Sequence, residues 1–355
     1  MTRTRILYLL GALGAAPSLF AAAASGCASK NEGTGGTGGS THTTSSTTTT
    51  GTGGSGTGGT GTGGDITCGV GAVSATIQDV TQGTVGVGVD VSITGAVVMS
   101  QKFVIDGTLS AGQPCLWAVF VSAPGLTTTA PNTGILVLSY GNPATVPDGG
   151  TQAYCPLLEQ APAGDAIPDD IQPGDVVDIV GETDYHLLQN CASEPNGSQV
   201  EQFQIAKACR FQKTGVATPP TPAVVSAADY AAFADQTTAA RAFHDDWGGV
   251  KVRLANVNAT DTGNTGSAVG QYGVITLDEA GMSVGDIYYE GYYAPFEPCK
   301  ASAIFDVTPG ATQNFAYIEG FHHMDYCTWG LSVNDKCSDF SPQSNDCTAA
   351  SCAPY

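Results

Sequence analysis

Apolar and polar residues alternate along several short stretches of this chain, and that pattern limits its fold more than any other feature. The alternation is clear at 89–94 and again at 250–255, and apolar runs of strand length lie at 117–121, 135–139 and 176–180. Successive side chains of a β-strand point to opposite faces, so alternation is typical of strands with one buried face. The sequence therefore predicts a mainly β fold.

Two of these stretches resemble each other. The spacing Val-x-Val-x-(Ile or Leu) occurs at 89–93 and at 250–254. The spacing Ile-x-Gly occurs at 179–181 and at 318–320. Matches in the same order predict two related β units within one chain.

One segment between the two units has a different pattern. Ser226 follows a proline-rich stretch and precedes Asp229 by three residues, which resembles a helix-capping box. The alanine-rich stretch after it predicts a helix from Ala227 to about Ala242, and a coiled linker is the alternative. This helix would join a first domain, 65–222, to a second domain, 223–355.

The segment before these domains cannot fold. From Gly33 to Gly64 every residue is Gly, Thr or Ser except His42. Such a composition has no apolar surface to bury, so we expect a disordered tether. Its root-mean-square reach would be roughly 30 Å for a flexible chain of this length.

The N-terminus has the pattern of a secretory signal over residues 1–26. Arg3 and Arg5 precede a largely apolar run at 6–24, and small residues follow it. An uncleaved transmembrane helix is the alternative, because such a run nearly spans a bilayer. Both interpretations place the folded part outside the cytoplasm.

The four residues Ala24-Ser25-Gly26-Cys27 resemble the lipobox of bacterial lipoproteins. The resemblance implies cleavage before Cys27, diacylglycerol on its sulfur and an acyl chain on its nitrogen, so that 27–64 becomes a lipidated tether. Ala28 replaces the aspartate typical of inner-membrane lipoproteins. We therefore expect attachment through lipid to the outer membrane of a Gram-negative bacterium, either facing the periplasm or exposed at the surface.

The segments VDVSITGAVV, FVIDG, GILVLSYG, GDVVDIVGE, PTPAVVSAADYA and WGGVKVRLANVNAT follow one another in this order. They resemble tandem OB-fold-like domains of exported bacterial proteins, including regions appended to extracellular nucleases and phosphoesterases, and the resemblance covers nearly all of 70–340. It implies two five-stranded OB-like β-barrels joined by one short helix, each with a ligand face on its second and third strands. The chain lacks the appended catalytic domain of those relatives, so we expect no enzymatic activity.

Charge argues against nucleic acid as a partner. The chain has 32 acidic residues, 12 Lys and Arg, and a formal net charge of −20. Tracking a phosphate backbone requires cationic side chains that release counterions. The one basic cluster, Lys207, Arg210 and Lys213, is too small for such a groove.

The cysteines form an even set once Cys27 carries the lipid. The ten others predict five disulfides: Cys68, Cys115, Cys155, Cys191, Cys209, Cys299, Cys327, Cys337, Cys347 and Cys352. Five precede the predicted helix and five follow it, so complete pairing needs at least one bridge between the halves. Cys68 is the natural candidate for that bridge.

Two histidine clusters are candidates for chemistry. His322, His323 and Asp325 are the densest group of metal-ligand types, but neighbouring strand residues face opposite sides and would not converge on one ion. His244 precedes Asp245 and Asp246 and resembles a base with carboxylate partners. It should lie just beyond the predicted helix, where solvation of the charges is the ordinary explanation. We therefore predict neither a metal site nor a catalytic residue.

We expect no cofactor and keep calcium as an alternative. Acidic and amide side chains cluster at Asp165, Asp169 and Asp170, and again at Asp261 and Asn264. Neither group follows the alternating spacing of a regular calcium loop.

The aromatic run is the best candidate for ligand binding. It comprises Tyr288, Tyr289, Tyr292, Tyr293 and Phe296. Exposed aromatic faces stack on sugars or bases, and an acidic surface tolerates sugars better. Packing in a barrel core or at a sheet edge is the alternative.

These observations predict a disulfide-stabilised cell-envelope protein that acts as a non-catalytic binding or adhesion module, with a glycan or another protein as ligand. Two alternatives stay open: a nucleic-acid-binding OB-fold accessory protein, and a hydrolase with an unrecognised site.

Overall fold

The computed structural model describes residues 68–106, 110–146, 150, 153–155, 158, 161–187, 201–232, 238–260, 274–279, 283–286, 311–325, 328–334 and 337–343. In these ranges the chain forms two seven-stranded sheets with three short helices, which confirms the mainly β prediction. None of the helices described there combines the length and apolar composition needed to cross a bilayer.

The first half contains β1 Val73–Ser74, α1 Ile77–Thr81, β2 Asp90–Val98, β3 Phe103–Asp106, β4 Pro114–Ser122, β5 Gly134–Pro143, β6 Asp175–Leu187 and β7 Glu201–Val216. The second half contains β8 Ala223–Val225, α2 Ala227–Ala232, α3 Thr238–Trp247, β9 Lys251–Thr260, β10 Val274–Thr276, β11 Ser283–Asp286, β12 Thr312–Asp325, β13 Thr328–Val333 and β14 Phe340–Ser341.

The two sheets share one order of strand pairing. In the first sheet the order is β1-β2-β6-β7-β5-β4-β3, with β5 and β7 parallel and a further pairing of β2 with β4. In the second it is β10-β11-β13-β12-β9-β8, with β11 and β13 parallel and β14 paired to β12. Each half also opens with a short strand parallel to its first long strand. The order of elements is therefore repeated.

The register repeats as well, and it matches the spacing seen in the sequence. In the first sheet the facing pairs are Val91–Gly181 and Ile93–Ile179, and in the second they are Val252–Gly320 and Leu254–Ile318. A Cβ added at Gly181 would lie 2.5 Å from Ile205, and one at Gly320 would lie 2.9 Å from Leu331. Both glycines thus make room for an apolar side chain on the next strand, and the two halves agree in register at these positions.

The helices also begin in equivalent places. The α1 N-cap, Thr76, and Asp79 bond each other's backbone N–H groups, a capping box. In the second half the Ser226 hydroxyl accepts a hydrogen bond from the Ala228 backbone, directly before α2. The predicted start at Ala227 is right, but the predicted end at Ala242 is wrong, because α3 continues to Trp247.

Each half encloses its own apolar core, and a third apolar cluster joins them. The joining cluster contains Phe120, Leu136 and Leu138 of the first half and Phe321 of the second. The rings of Phe120 and Phe321 stack with centroids 4.2 Å apart and planes 6° apart. Packing of this kind stabilises the contact between the halves beyond simple burial.

The backbones of the two halves approach closely beside this cluster. A Cβ added at Gly134 would lie 2.6 Å from Cα of Val250, and one at Gly249, whose φ is +74°, would lie 2.8 Å from Cα of Ile135. Side chains cannot fit at either position without moving main chain. The contact between the halves therefore depends on two glycines.

Candidate functional site

Several of the candidates lie outside the described residues. These are the lipidation site Cys27, the acidic pair Asp261 and Asn264, and the aromatic run Tyr288, Tyr289, Tyr292, Tyr293 and Phe296. In chain order the aromatic run falls in the connection between β11 and β12.

The histidines do come together in part, as a buried pair. His244 Nδ1 and His322 Nε2 are 2.9 Å apart and share a hydrogen bond. Both rings stack on the indole of Trp329, each with a centroid separation of 4.7 Å. His322 is fully buried, and 4% of His244 is exposed. The pair is thus sealed beneath a tryptophan.

Burial sets the charge state of His322. The pKa of His322 lies well below its ordinary value of 6.5, chiefly because burial disfavours the charged ring, and also because of His244 and His323. His322 is therefore neutral near pH 7, so only one of its two ring nitrogens carries a proton. The arrangement suits packing at the junction of α3, β12 and β13 better than proton exchange with a substrate.

His323 turns to the opposite side of β12, as the alternation of a strand requires. Its Nδ1 is 2.9 Å from Oε1 of Gln202 on β7, and its ring meets the ring of Phe120 edge-on. Among the described residues no group of three or more His, Cys, Asp or Glu side chains could hold a metal ion.

The position expected for His244 is wrong. It lies within α3 rather than beyond it, and its neighbours bond to the first half instead of to solvent alone. Asp245 accepts a hydrogen bond of 2.8 Å from the Tyr185 hydroxyl, and Asp246 accepts one of 2.9 Å from the Asn132 side-chain amide. The end of α3 is therefore a contact between the halves.

Sequence reasoning missed a buried ion cluster around Lys102, the residue before β3. Its Nζ is 2.5 Å from Oδ1 of Asp165, 2.7 Å from Oδ1 of Asp169 and 2.7 Å from the carbonyl oxygen of Ile167. Nζ also lies 5.1 Å from the centroid of the Trp117 ring. The sequence signals were a lysine directly before an apolar run, in a chain with few lysines, and the acidic cluster at 165–170.

This cluster bears on the calcium alternative. The side chains of Lys102 and Asp165 are 1% and 0% exposed, whereas Asp169 is 37% exposed. Asp170 contacts Lys213 at 3.5 Å. Burial raises the pKa of Asp165, and Lys102 opposes that effect. The three carboxylates thus bind lysine ammonium groups.

The basic cluster on β7 is likewise engaged by acids. Lys207 is 3.1 Å from Glu182, and Lys213 is 3.0 Å from Asp175. These contacts raise the pKa of both lysines, chiefly through the hydrogen bonds to the carboxylates. The positive charges of these two lysines are therefore paired with carboxylates of the same chain.

Two disulfides have both partners among the described residues: Cys68–Cys209 and Cys115–Cys155. Cys337 is also disulfide-bonded. The choice of Cys68 as the bridge between the halves is wrong, because its partner is in β7 of the first half. The remaining predicted members of the set, Cys191, Cys299, Cys327, Cys347 and Cys352, lie outside the described residues.

Comparisons with known proteins add nothing to this geometry. No family model, curated protein or solved structure matches the chain.

Proposed function

We propose that this chain is a lipid-anchored, non-catalytic binding module of the bacterial cell envelope, built from two OB-like barrels, with a glycan or a protein as its ligand. The anchor rests on the signal-like N-terminus and Cys27. The ligand class rests on the acidic composition and on the aromatic run at 288–296.

Strand pairing supports the OB-like part of the proposal. In the first half the ladders run β2–β6–β7–β5–β4 and return to β2 through Val97–Ser122 and Val98–Val121. If β2, β4, β5, β6 and β7 are numbered 1 to 5 in chain order, the order of pairing is 1-4-5-3-2-1, and strands 3 and 5 are parallel. The second half repeats 1-4-5-3-2, and Asp278, just after β10, bonds back to Asn258 of β9.

The ligand is placed on the second half because the corresponding face of the first half is already buried. An OB barrel binds its ligand on the outer face of its second and third strands, which are β4 and β5 in the first half. There Phe120, Leu136 and Leu138 are buried against Phe321 of the second half. The first half therefore uses its ligand face to hold the second half.

The equivalent face of the second half belongs to β10 and β11. Along the chain, β11 leads directly into the tyrosine-rich connection, so that the second half has both features expected of a sugar-binding protein, an OB-like ligand face and a run of aromatic residues. We infer that the ligand binds there. The matched charges of Lys207 and Lys213 count against nucleic acid as an alternative ligand.

The test is a titration of the full chain with a polysaccharide panel, single-stranded DNA and calcium at low and moderate salt. Trp117, Trp247 and Trp329 supply intrinsic fluorescence. We expect saturable binding of a polysaccharide that persists as salt rises. DNA binding that weakens steeply with salt would overturn the glycan assignment in favour of the nucleic-acid alternative.

Matched variants locate the site. Tyr288→Ala combined with Tyr292→Ala should abolish the response, whereas Tyr140→Ala, which removes a 52% exposed tyrosine from β5, should leave it unchanged. Equal effects of the two variants would contradict the placement. Separately, Cys27→Ser should move the protein from the membrane fraction to the soluble fraction, and retention in the membrane would contradict the lipid anchor.

A further inference from the structure

The ion cluster of Lys102, Asp165 and Asp169 brings a buried amine and a buried carboxyl group together with a second, partly exposed acid. We propose that Lys102 and Asp165 condense to an intramolecular amide, an isopeptide bond between Nζ of the lysine and Cγ of the aspartate. The proposal is independent of the ligand and of the membrane anchor.

Proximity is the first argument. Nζ is 2.5 Å from Oδ1 of Asp165, and both side chains are at most 1% exposed. Amide formation between separate molecules in water is unfavourable, but two groups held in contact react with a very large effective concentration. Exclusion of bulk water also protects the product from hydrolysis.

The atoms balance without any further reagent. The ammonium of Lys102 and the carboxylate of Asp165 together contain the atoms of one amide and one water. One proton passes from Nζ to the Asp165 carboxyl group. Nζ then forms a bond to Cγ, and a second proton leaves Nζ through Asp169, whose Oδ1 is 2.7 Å away, to the departing Oδ1 of Asp165. The C–O bond breaks and water leaves.

The surroundings of Asp165 favour this course. Burial raises its pKa, which favours the protonated carboxyl group, the form with the better leaving oxygen. Its Oδ2 accepts a hydrogen bond of 3.3 Å from the backbone N–H of Ile167. That N–H can stabilise the negative charge that develops on Oδ2 when the amine attacks.

The product would also keep its hydrogen bonds. An amide at this site has one N–H, and the carbonyl oxygen of Ile167, 2.7 Å from Nζ, is placed to accept it. The amide oxygen would be Oδ2, which the Ile167 N–H already contacts. Two buried charges would be exchanged for one satisfied amide, which removes the desolvation cost of a buried ion pair.

The bond would cross-link two distant parts of the first half. Lys102 lies between β2 and β3, and Asp165 lies 63 residues later in the loop before β6. The neighbouring cluster of apolar side chains includes Cys115 and Cys155, so the amide would stand beside a disulfide. Unlike the disulfide, it would survive reduction.

Mass spectrometry of the full chain tests the proposal directly. The purified protein is reduced, alkylated and digested with chymotrypsin under denaturing conditions. We expect the peptides containing Lys102 and Asp165 to be recovered joined, at a mass lower than their sum by about 18 Da, the mass of one water. Recovery of the two as separate peptides at full mass from folded protein would overturn the proposal. Dehydration within a single peptide has the same mass change but leaves the peptides separate.

Variants separate the bond from the ion pair. Lys102→Arg keeps a cation but removes the amine, so the joined peptide should disappear. Asp169→Asn keeps a polar side chain but not the proton carrier, and the rate of joining in newly refolded protein should fall about 100-fold. An unchanged rate would remove Asp169 from the mechanism. The pair Lys213 and Asp175, 3.0 Å apart with the lysine side chain 36% exposed, is the internal control and should stay unjoined.

Discussion

The two halves have the same order of strands but bury different kinds of polar groups. The first half encloses charge, in the cluster of Lys102 with Asp165, and holds both disulfides whose partners are described. The second half encloses the hydrogen-bonded imidazoles of His244 and His322. The repeat therefore depends on the apolar pattern and on the closely packed glycines. The buried polar groups are not repeated, so the first half should respond to reduction and the second half to acid.

The largest expected effect is the loss of stability when the disulfides of the first half are removed. The paired variant Cys68→Ser with Cys209→Ser opens a loop of 141 residues, and Cys115→Ser with Cys155→Ser opens one of 40. The loop-entropy model assigns about 5 and about 4 kcal/mol to these closures. Denaturant unfolding measures both losses, and a greater loss for the shorter loop would contradict that model here.

The next effect tests whether the halves unfold together. Phe321→Ala and Phe315→Ala each remove a buried ring and should each cost about 3–5 kcal/mol. Phe321 stacks on the first half, whereas Phe315 packs beside Phe340 in the core of the second. Calorimetry should therefore show two separate transitions for Phe321→Ala and one for Phe315→Ala. The reverse pattern would show that the joining cluster does not couple the halves.

A smaller effect concerns the close approach of the backbones. Gly249 and Gly88 have φ values of +74° and +76°, but only Gly249 has main chain close to its missing Cβ. Gly249→Ala should therefore cost about 1–3 kcal/mol more than Gly88→Ala, because only the former overpacks the contact. Thermal or denaturant unfolding of both variants gives the difference. If both variants lowered the free energy of unfolding equally, the close approach of the two backbones at Gly249 would contribute nothing to stability.

The smallest effect is the response of the second half to acid. The unfolded pKa of His322 is near 6.5 and the folded pKa is lower, so the unfolded chain binds more protons as pH falls. The contribution of His322 is complete above 6.5 and is lost below it, by up to about 1.4 kcal/mol for each pH unit. Urea unfolding at pH 7.5 and 5.5 should show a smaller loss for His322→Gln than for the native chain. An equal loss would assign the acid sensitivity to other groups.

The sequence contained enough to predict the strands and their repetition. Alternation and the Ile-x-Gly spacing are local, and the pairs Val91–Gly181 and Val252–Gly320 appear where those patterns place them. The start of α2 at Ala227 was readable from Ser226 for the same reason, because a cap is made by neighbours in sequence.

Apart from the end of the helix at Trp247, the features that the sequence did not reveal involve partners far apart in the chain. Lys102 meets Asp165 across 63 residues, and His244 meets His322 across 78. The acids next to His244 predict an exposed face, yet those acids bond to Tyr185 and Asn132 of the other half. Composition and periodicity do not encode such pairings.

The Cys68–Cys209 disulfide determines how force would travel through this molecule. A pull on the chain before Cys68 passes through the sulfur bridge into β7 and on towards the second half, without loading the peptide bonds of the 141-residue loop between them. Strands β1 to β6 therefore stand outside the path of tension. Tension would be borne by the disulfide and by the chain after Cys209. Most of the first half would bear none and would stay folded while the N-terminus is stretched.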